Sequence, residues 1–249
     1  MTEKLSVAII ARNSATQLPA CLASAAFADD IVVVDSGSDD DTVAVAERHG
    51  ARVVYQAWLG YGKQKQHAVA LAKHRWVLCL DTDERVSDTL RESICRALEA
   101  PRFEAYRMPR RNRFMGRWLK HGEGYPDWSL RLFNREHANW SDDSIHEKVV
   151  TQAPVGTLAG DLLHESETTL EDYLNKQNRY TTLQAQALYA RGKRVGYATL
   201  ALNPLIRFIK FYIFKLGFLD GCAGLVHIAI GCFNTFNKYA KLMQLQRRD

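Results

Sequence analysis

The stretch that decides the fold is residues 30–49, DIVVVDSGSDDDTVAVAERH. It begins with a continuous apolar run, passes through a turn rich in Ser, Gly and Asp, and continues into a helix-like segment that Gly50 ends. Asp39 or Asp40 is placed to cap that helix. An apolar run without alternation predicts a strand covered on both faces, as in a parallel sheet. The stretch therefore predicts a strand-turn-helix unit of an α/β fold.

The same unit repeats through the first hundred residues. The predicted strands are LSVAII at 5–10, DIVVVD at 30–35, ARVVYQ at 51–56 and RWVLCL at 75–80. The predicted helices cover about 15–26, 40–49 and 63–73, and a further helix follows Ser87 and ends before Pro101. Strands that alternate with helices predict a Rossmann-like, mostly parallel, doubly wound sheet.

The pattern changes twice further along the chain. Residues 102–161 contain shorter aromatic-rich pieces with Gly and Pro, which predict mixed strands and long loops. Apolar residues at helical spacing then predict helices over about 168–192, 199–216 and 221–245. We expect an α/β domain over 1–165 and a helical C-terminal region over 166–249.

Charge is unevenly distributed along a chain of ordinary globular composition. The net charge is +5, but residues 191–249 contain ten Lys or Arg against two acids, so this tail carries +8 and the rest −3. Within the tail, LNPLIRFIKFYIFKLGFL at 202–219 places its cations within roughly 140° of helical arc. This pattern is typical of a helix lying on an anionic membrane, or of a core helix with a basic outer face.

Residues 221–237 lack Asp, Glu, Lys and Arg, but they are few for a bilayer span, so we expect peripheral association. The N-terminus, MTEKLSVAII, lacks the pattern of a secretory signal. The five cysteines contain no C-x-x-C pair and lie mostly among apolar neighbours. They predict reduced, buried thiols in a cytoplasmic protein rather than disulfides.

Polar residues follow the predicted strands where ligands bind in open α/β sheets. Arg12 and Asn13 follow the first strand, Asp35 the second, and Asp81 and Asp83 the fourth. Carboxylates in a D-x-D turn predict a divalent-metal site with open positions for phosphate oxygens, although such a turn can also be a solvated helix cap. Asp35 could bond a nucleobase or sugar, or form a local turn with Gly37.

Two basic segments predict anionic ligands. GYGKQKQHA at 60–68 places Lys63 and Lys65 at the start of a helix, where phosphate binds favourably; the alternative is a solvated basic face. Between 102 and 120, seven cations stand against Glu104 alone. They are Arg102, Arg107, Arg110, Arg111, Arg113, Arg117 and Lys120. With Phe114 and Trp118 among them, we expect an anionic acceptor rather than a solvated loop, and no recognised motif indicates nucleic acid.

In order, SVAIIARN, DDIVVVDSGSDDDT, GYGKQKQHA and WVLCLDTDERV resemble glycosyltransferase family 2. The later GYPDWSLRLFNRE, IHEKV and NPLIRFIKFYIFKLGFLDGCAGL are similar to bacterial lipopolysaccharide inner-core beta-glucosyltransferases. The resemblance implies a GT-A fold and inverting transfer of glucose from UDP-glucose to a core heptose. It also implies a divalent cofactor, Mg²⁺ or Mn²⁺, and a position on the cytoplasmic face of the bacterial inner membrane.

The resemblance also implies roles for single residues. Asp35 would contact the base, Asp81 and Asp83 the metal at the diphosphate, and Asp127 would be the catalytic base. Pro126 stands where many relatives carry another acid, so Glu123 and Glu147 remain alternative bases. From the residues themselves, we expect the donor also to contact Arg12, Asn13, Lys63 and Lys65, and the acceptor to contact Arg110, Arg111, Arg113 and Arg117. His146 and Glu147 are either acceptor contacts or groups that support the site from behind. Glu84 and His164 receive no role. Within the family, the alternative is transfer to another lipid-linked or protein acceptor. Outside it, the alternative is a GT-A-like nucleotidyltransferase, but ARNSATQLP at 11–19 lacks the glycine-rich loop expected of one.

Overall fold

A computed structural model describes residues 2–142, 147–166 and 169–247. The chain forms two compact units: residues 1–110 with 128–165, and residues 111–127 with 166–249. The second unit is the helical C-terminal region together with a segment, 111–127, that the sequence assigned to the α/β domain.

The strands in chain order are β1 Leu5–Ala11, β2 Asp30–Asp35, β3 Arg52–Tyr55, β4 Trp76–Asp81, β5 Glu84–Val86, β6 Ala105–Phe114, β7 Arg117–Trp118, β8 Asp127–Asn134, β9 Ala138–Trp140, β10 Val149–Thr151, β11 Val155–Thr157 and β12 Leu162–His164. The α-helices are α1 Leu18–Ala25, α2 Thr42–Arg48, α3 Tyr61–Ala70, α4 Asp88–Glu99, α5 Leu170–Ala190, α6 Tyr197–Phe208 and α7 Gly221–Gln246. Every strand and helix predicted in the first hundred residues is present, with ends shifted by three residues or fewer.

The main sheet has the strand order β3-β2-β1-β4-β8-β6-β12-β5, with β11 beside β6. Strands β1 to β4 pair in parallel, in a register that sets Ala11 opposite Asp35 and Ile10 opposite Asp81. Strand β8 joins antiparallel to β4, and β12 antiparallel to β5. The parallel half and the mixed half that the sequence predicts are both confirmed. The register places the ends of β1, β2 and β4 along one rim.

Two apolar layers cover the faces of the sheet. On one face Leu18 and Leu22 of α1 pack in a cluster with Ile94 of α4, and on the other Val69 of α3 packs in a cluster with Phe133 of β8. Burying one such side chain stabilises a fold by about 1.5–3 kcal/mol. The rim residues are therefore presented by a well-packed sheet.

The helix ends show which capping predictions hold. The Ser87 hydroxyl accepts a hydrogen bond from the Leu90 N–H and caps α4, as predicted. At the start of α2, Asp41 holds the N-cap position and makes no side-chain cap bond within the described chain, but the preceding Asp40 accepts the N–H of Thr42, the first helical residue, as the prediction of an Asp40 cap requires. The Asp40 carboxylate accepts this Thr42 N–H at 3.0 Å and also the Ala15 N–H at 3.1 Å. Asp40 thereby ties together the loops that follow β1 and β2.

The second unit is mainly helical, as predicted for residues after 168. Helix α6 continues into a π-helical turn, Ile209–Phe214, and a 3-10 turn, Gly217–Asp220, leads into α7. Close packing there requires glycine, since a Cβ on Gly224 would lie 2.4 Å from the Gly217 carbonyl oxygen. Among the described residues, the segment Gly217–Gln246 is long enough and apolar enough to cross a membrane, with a mean hydropathy of 1.3. A core helix of a soluble protein passes the same test.

All five cysteines, each within the described residues, are free thiols. Cys21 and Cys79 are buried as predicted, but Cys95 and Cys222 are exposed and Cys232 is half-buried. Burial was therefore wrongly predicted for part of the set, because α4 and α7 place apolar sequence neighbours on a different side of the helix from these cysteines.

Candidate functional site

The Asp81 carboxylate, at the end of β4, is held by two cations. Lys65 Nζ of α3 lies 3.0 Å from Oδ1, and Arg131 Nη2 of β8 lies 2.7 Å from Oδ2. Burial alone would raise the pKa of Asp81, but the charges of Arg131 and Lys65 outweigh it and lower the pKa well below its usual range. Asp81 therefore stays ionised, with its charge already balanced by protein groups.

Glu84 is the second anion of this cluster. Its side chain is fully buried, and its carboxylate accepts hydrogen bonds from Arg131 Nη2 at 2.8 Å and from the Asp81 N–H at 3.0 Å. Burial would lower the pKa of Arg131, but Glu84 and then Asp81 outweigh it and raise the pKa above its ordinary value. Arg131 thus remains a permanent buried cation that joins β4 to β8.

Trp140 of β9 completes the cluster. Lys65 Nζ lies 4.7 Å and the Arg131 guanidinium carbon 5.5 Å from its ring centroid, both within cation–π range. Lys65 Nζ also lies 3.3 Å from Glu147 Oε1, so the lysine is shared by two carboxylates. Lys65 is 7% exposed, whereas Lys63, two residues earlier on α3, is exposed. Of this pair, Lys63 is the lysine presented to solvent.

Asp83 lies apart from these cations and beside a histidine. In the turn between β4 and β5, its Oδ2 is 3.1 Å from Nε2 of His164 on β12, and both side chains are partly exposed. A carboxylate oxygen and an imidazole nitrogen together suit a transition-metal ion. The described residues contain no group of three or more His, Cys, Asp or Glu arranged to hold a metal. The Asp83–His164 pair therefore fits a divalent ion only as two of its ligands, with further ligands from water or a bound donor.

The Asp35 side chain forms the turn after β2. It accepts hydrogen bonds from the Gly37 and Ser38 N–H groups, each at 2.9 Å, and from the Ser38 hydroxyl. Asn13, with φ of 49°, accepts the Asp39 N–H on its side-chain oxygen, and its own N–H donates to Ser38. The loops that follow β1 and β2 are thus joined along the rim. Arg12 is exposed beside them.

The three candidate bases have different surroundings. Glu123 accepts hydrogen bonds from Arg207 Nε at 3.1 Å and from Arg207 Nη2, within the second unit. Glu147 pairs with Lys65 in the first unit. Asp127 is the first residue of β8, belongs to the second unit and is half-buried. Glu123 and Glu147 are therefore each ion-paired within their own unit.

The predicted acceptor residues that the structure describes belong partly to the first unit and partly to the second. Arg110 Nη1 lies 3.4 Å from Glu84 in the first unit. In the second unit, the guanidinium carbons of Arg111 and Arg113 lie 6.0 and 5.9 Å from the Trp118 ring centroid, and Arg117 donates to the Leu219 carbonyl. His146 lies outside the described residues. Glu147 pairs with Lys65 in the first unit.

Sequence patterns did not find Arg131, Glu84, Trp140 or His164 as parts of the site. Arg131 carried a signal, since it lies between Leu130 and Leu132 in a segment whose neighbours are apolar. A cation enclosed in this way needs a buried anion as its partner. The sequence alone could not say which anion, because Arg131 and Glu84 are far apart along the chain and meet only through sheet pairing.

The chain is similar in sequence to known glycosyltransferases. A profile described as glycosyl transferase family 2 matches residues 6–157. Among curated relatives, the lipopolysaccharide core biosynthesis glycosyltransferase LpsC of Rhizobium meliloti is 30% identical, over 96% of this chain and 92% of that protein. An uncharacterized glycosyltransferase of Rickettsia conorii is 32% identical, over 98% of this chain and 91% of its own.

Among solved structures, residues 1–349 of S. aureus TarS match with a TM-score of 0.50, at 14% identity, over 99% of this chain and 92% of that one. Identity this low shows the fold alone. The fold is the GT-A fold: a mixed α/β sheet with helices at the C-terminal end.

Proposed function

The chain belongs to glycosyl transferase family 2 and is a glycosyltransferase, and on that premise we propose that it transfers glucose from UDP-glucose to a heptose of the lipopolysaccharide inner core. The observation that carries the proposal is the cluster of Lys65, Asp81 and Arg131 at the carboxyl ends of the strands, where open α/β sheets bind nucleotides. The acceptor is suggested by the name of LpsC, which assigns that relative to lipopolysaccharide core biosynthesis.

The donor binds along the rim formed by the ends of β1, β2 and β4. The loop joined by Asn13 and Asp35 receives the nucleoside, and Arg12 and Lys63 are the exposed cations available to its phosphates. Lys65 and Arg131 fix the Asp81 carboxylate in one orientation. Since these groups neutralise one another, the buried charges hold the rim in shape before the donor arrives.

Asp83 and His164 would hold the divalent ion, and an imidazole ligand favours Mn²⁺ over Mg²⁺. When bound, the ion would neutralise charge that develops on the departing diphosphate. Asp81, predicted from its D-x-D spacing as a second ligand, has both carboxylate oxygens within ion-pair distance of cations. We assign it to orienting the β4–β5 turn through its N–H bond to Glu84.

Asp127 is the proposed base. It takes the proton from the attacking heptose hydroxyl while the bond from the anomeric carbon to the diphosphate breaks, and this single displacement inverts the anomeric centre. Asp127 is preferred because it lies where the family that the sequence resembles carries its catalytic acid. Glu123, which pairs with Arg207, and Glu147, which pairs with Lys65, are the alternative bases.

The helical region would hold the protein at the cytoplasmic face of the inner membrane as a peripheral protein. The support is its charge of +8 from residue 191 onward, together with exposed apolar side chains such as Phe214 and Ile206. A lipid-linked acceptor is presented at such a surface.

Purified protein should release UDP from UDP-glucose when a heptose-terminated core acceptor and Mn²⁺ are present, and EDTA should stop the reaction. The control is the same panel of UDP-sugars without acceptor, and with other lipid-linked or protein acceptors. Transfer to one of those acceptors instead would move the proposal to another family 2 reaction. An absence of UDP release with every sugar and acceptor would overturn it.

A further inference from the structure

In the second unit, the hairpin tip Arg113–Trp118 and the turn Ile213–Leu219 are tied together; we call the two segments the hairpin–turn surface. Arg117 Nη2 donates to the Leu219 carbonyl at 3.0 Å, and the Gly122 N–H donates to the Lys215 carbonyl at 2.8 Å. Asp220, 2% exposed, accepts the N–H groups of Lys120 and His121. Backbone and buried bonds thus join the segments, although about a hundred residues of chain separate them.

The turn exposes large apolar side chains that nothing in the second unit covers among the described residues. The exposed fractions are 77% for Phe214, 51% for Ile213, 47% for Leu219, 45% each for Leu216 and Phe218, and, on the hairpin, 58% for Met115. Tyr212, which precedes the turn, stacks on Phe208 with ring centroids 4.9 Å apart and also contacts Phe218 of the turn, with centroids 6.1 Å apart. Leu216 holds a left-handed backbone with φ of 54°, which is unfavourable for leucine, so the turn keeps its shape at a cost in conformational energy.

Cations border these apolar groups. Arg113 and Arg117 of the hairpin tip and Lys215 of the turn are exposed, and so are Lys120 and Lys210, which lie close to these segments in the chain. Asp220, the acid that directly follows the turn, is buried and already accepts hydrogen bonds from backbone N–H groups. An apolar tip surrounded by exposed cations matches the chemistry of a bilayer surface with acyl chains below and lipid phosphates above.

We propose that the hairpin–turn surface inserts into one leaflet of an anionic phospholipid bilayer. Phe214, Phe218 and Met115 enter the acyl region, while Arg113 and Arg117 bind lipid phosphates. This deepens the peripheral association proposed above and rests on it. It also changes the role of these two arginines, which the sequence assigned to the sugar acceptor.

Vesicle flotation with matched double variants tests the proposal. R113Q/R117Q removes the arginines of the hairpin tip, and F214S/F218S removes the phenylalanines of the turn. R48Q/R179Q is the control, which removes two exposed arginines elsewhere. Vesicles contain phosphatidylcholine with or without phosphatidylglycerol. Near-surface cations each contribute about a five-fold change in partition, so R113Q/R117Q should lose roughly 25-fold on anionic vesicles and little on neutral ones. High salt should remove the same part of the binding.

F214S/F218S should bind more weakly to both kinds of vesicle, and the R48Q/R179Q control should bind as the unmodified chain does. Equal binding of R113Q/R117Q and the control to anionic vesicles would overturn the proposal. So would an R113Q/R117Q variant that no longer binds a soluble phosphorylated core saccharide but still binds vesicles. Resistance of the membrane-bound protein to alkaline extraction would also overturn it, since this would indicate a spanning helix. Circular dichroism checks that each variant is folded.

UDP release with a soluble acceptor and no vesicles separates this inference from the proposed reaction. F214S/F218S and the R48Q/R179Q control should retain that activity, because none of these four residues is assigned to donor or acceptor binding. If activity persists while vesicle binding does not depend on Arg113, Arg117, Phe214 or Phe218, the membrane inference fails and the transferase stands.

Discussion

At the scale of single residues, the site depends on how buried charges are paired. Asp81 and Glu84 are anions at the end of β4 and the start of β5, and one arginine serves both of them. A buried ion pair need not stabilise a protein overall, but removing one partner leaves an uncompensated charge in a poorly solvated place. Arg131 is therefore the residue of the site whose loss should be most costly to folding.

Arg131→Met should lower the free energy of unfolding by about 3–5 kcal/mol, because Glu84 and Asp81 lose their shared cation. Urea denaturation gives the measurement. The control is Arg91→Met, which removes an exposed partner of Asp88 and should change stability by about 1 kcal/mol or less. Adding Glu84→Gln to Arg131→Met should recover part of the loss. A double variant no more stable than Arg131→Met would contradict the pairing.

Asp127→Asn should reduce kcat about 10²–10⁴-fold, since an amide cannot accept the proton of the attacking hydroxyl. Donor affinity, measured by calorimetry with UDP-glucose, should change little. Glu123→Gln is the comparison, because it removes the charge that pairs with Arg207. We expect it to lower the free energy of unfolding and to reduce kcat less than Asp127→Asn does. The opposite ranking of the two variants in kcat would make Glu123 the base.

At the scale of secondary-structure elements, short turns decide the chemistry. The β4–β5 turn places the two D-x-D carboxylates in different surroundings: Asp81 lies among cations, and Asp83 lies beside His164. The pairing of β12 with β5, which sets His164 opposite Glu84, brings the histidine to that turn. The three-residue strand β12 was not predicted individually, because so short a run carries too weak a periodic signal.

Asp83→Asn and His164→Asn should each weaken Mn²⁺ binding about 10- to 100-fold, by analogy with the loss of a group that supports a metal site. Electron paramagnetic resonance of free Mn²⁺, with UDP present, measures the affinity without requiring turnover. Asp88→Asn, an exposed carboxylate at the start of α4, is the control and should leave binding unchanged. If Asp81→Asn alone abolished Mn²⁺ binding, Asp81 would be the principal ligand.

At the scale of the whole molecule, buried carboxylates make stability depend on pH. Burial alone would raise the pKa of Asp30, but hydrogen bonds from Arg52, the Lys73 N–H and Ser6 outweigh it and lower the pKa to about 2. Because the folded-state pKa is below the unfolded value, the stabilisation is complete above about pH 4. It is lost as the pH falls through 2.

Asp30→Asn should therefore lower the free energy of unfolding at neutral pH by about 2 kcal/mol, and the difference from the unmodified chain should shrink between about pH 4 and pH 2. Denaturation at a series of pH values measures this. Asp88→Asn, at a site with one exposed ion pair, provides the matched control and should show little pH-dependent difference. A difference that stays constant down to pH 2 would contradict the lowered pKa.

The sequence by itself determined the α/β order, the helical C-terminal region and the positions of Asp35, Asp81 and Asp83 at strand ends, because periodicity and turn residues are local signals. Tertiary structure alone decided which charges meet. Arg131 reaches Asp81 and Glu84 through β8, and His164 reaches Asp83 through β12. The physical reason is that the energy of an ion pair depends on separation in space and on burial, and strand pairing sets both between residues far apart in the chain.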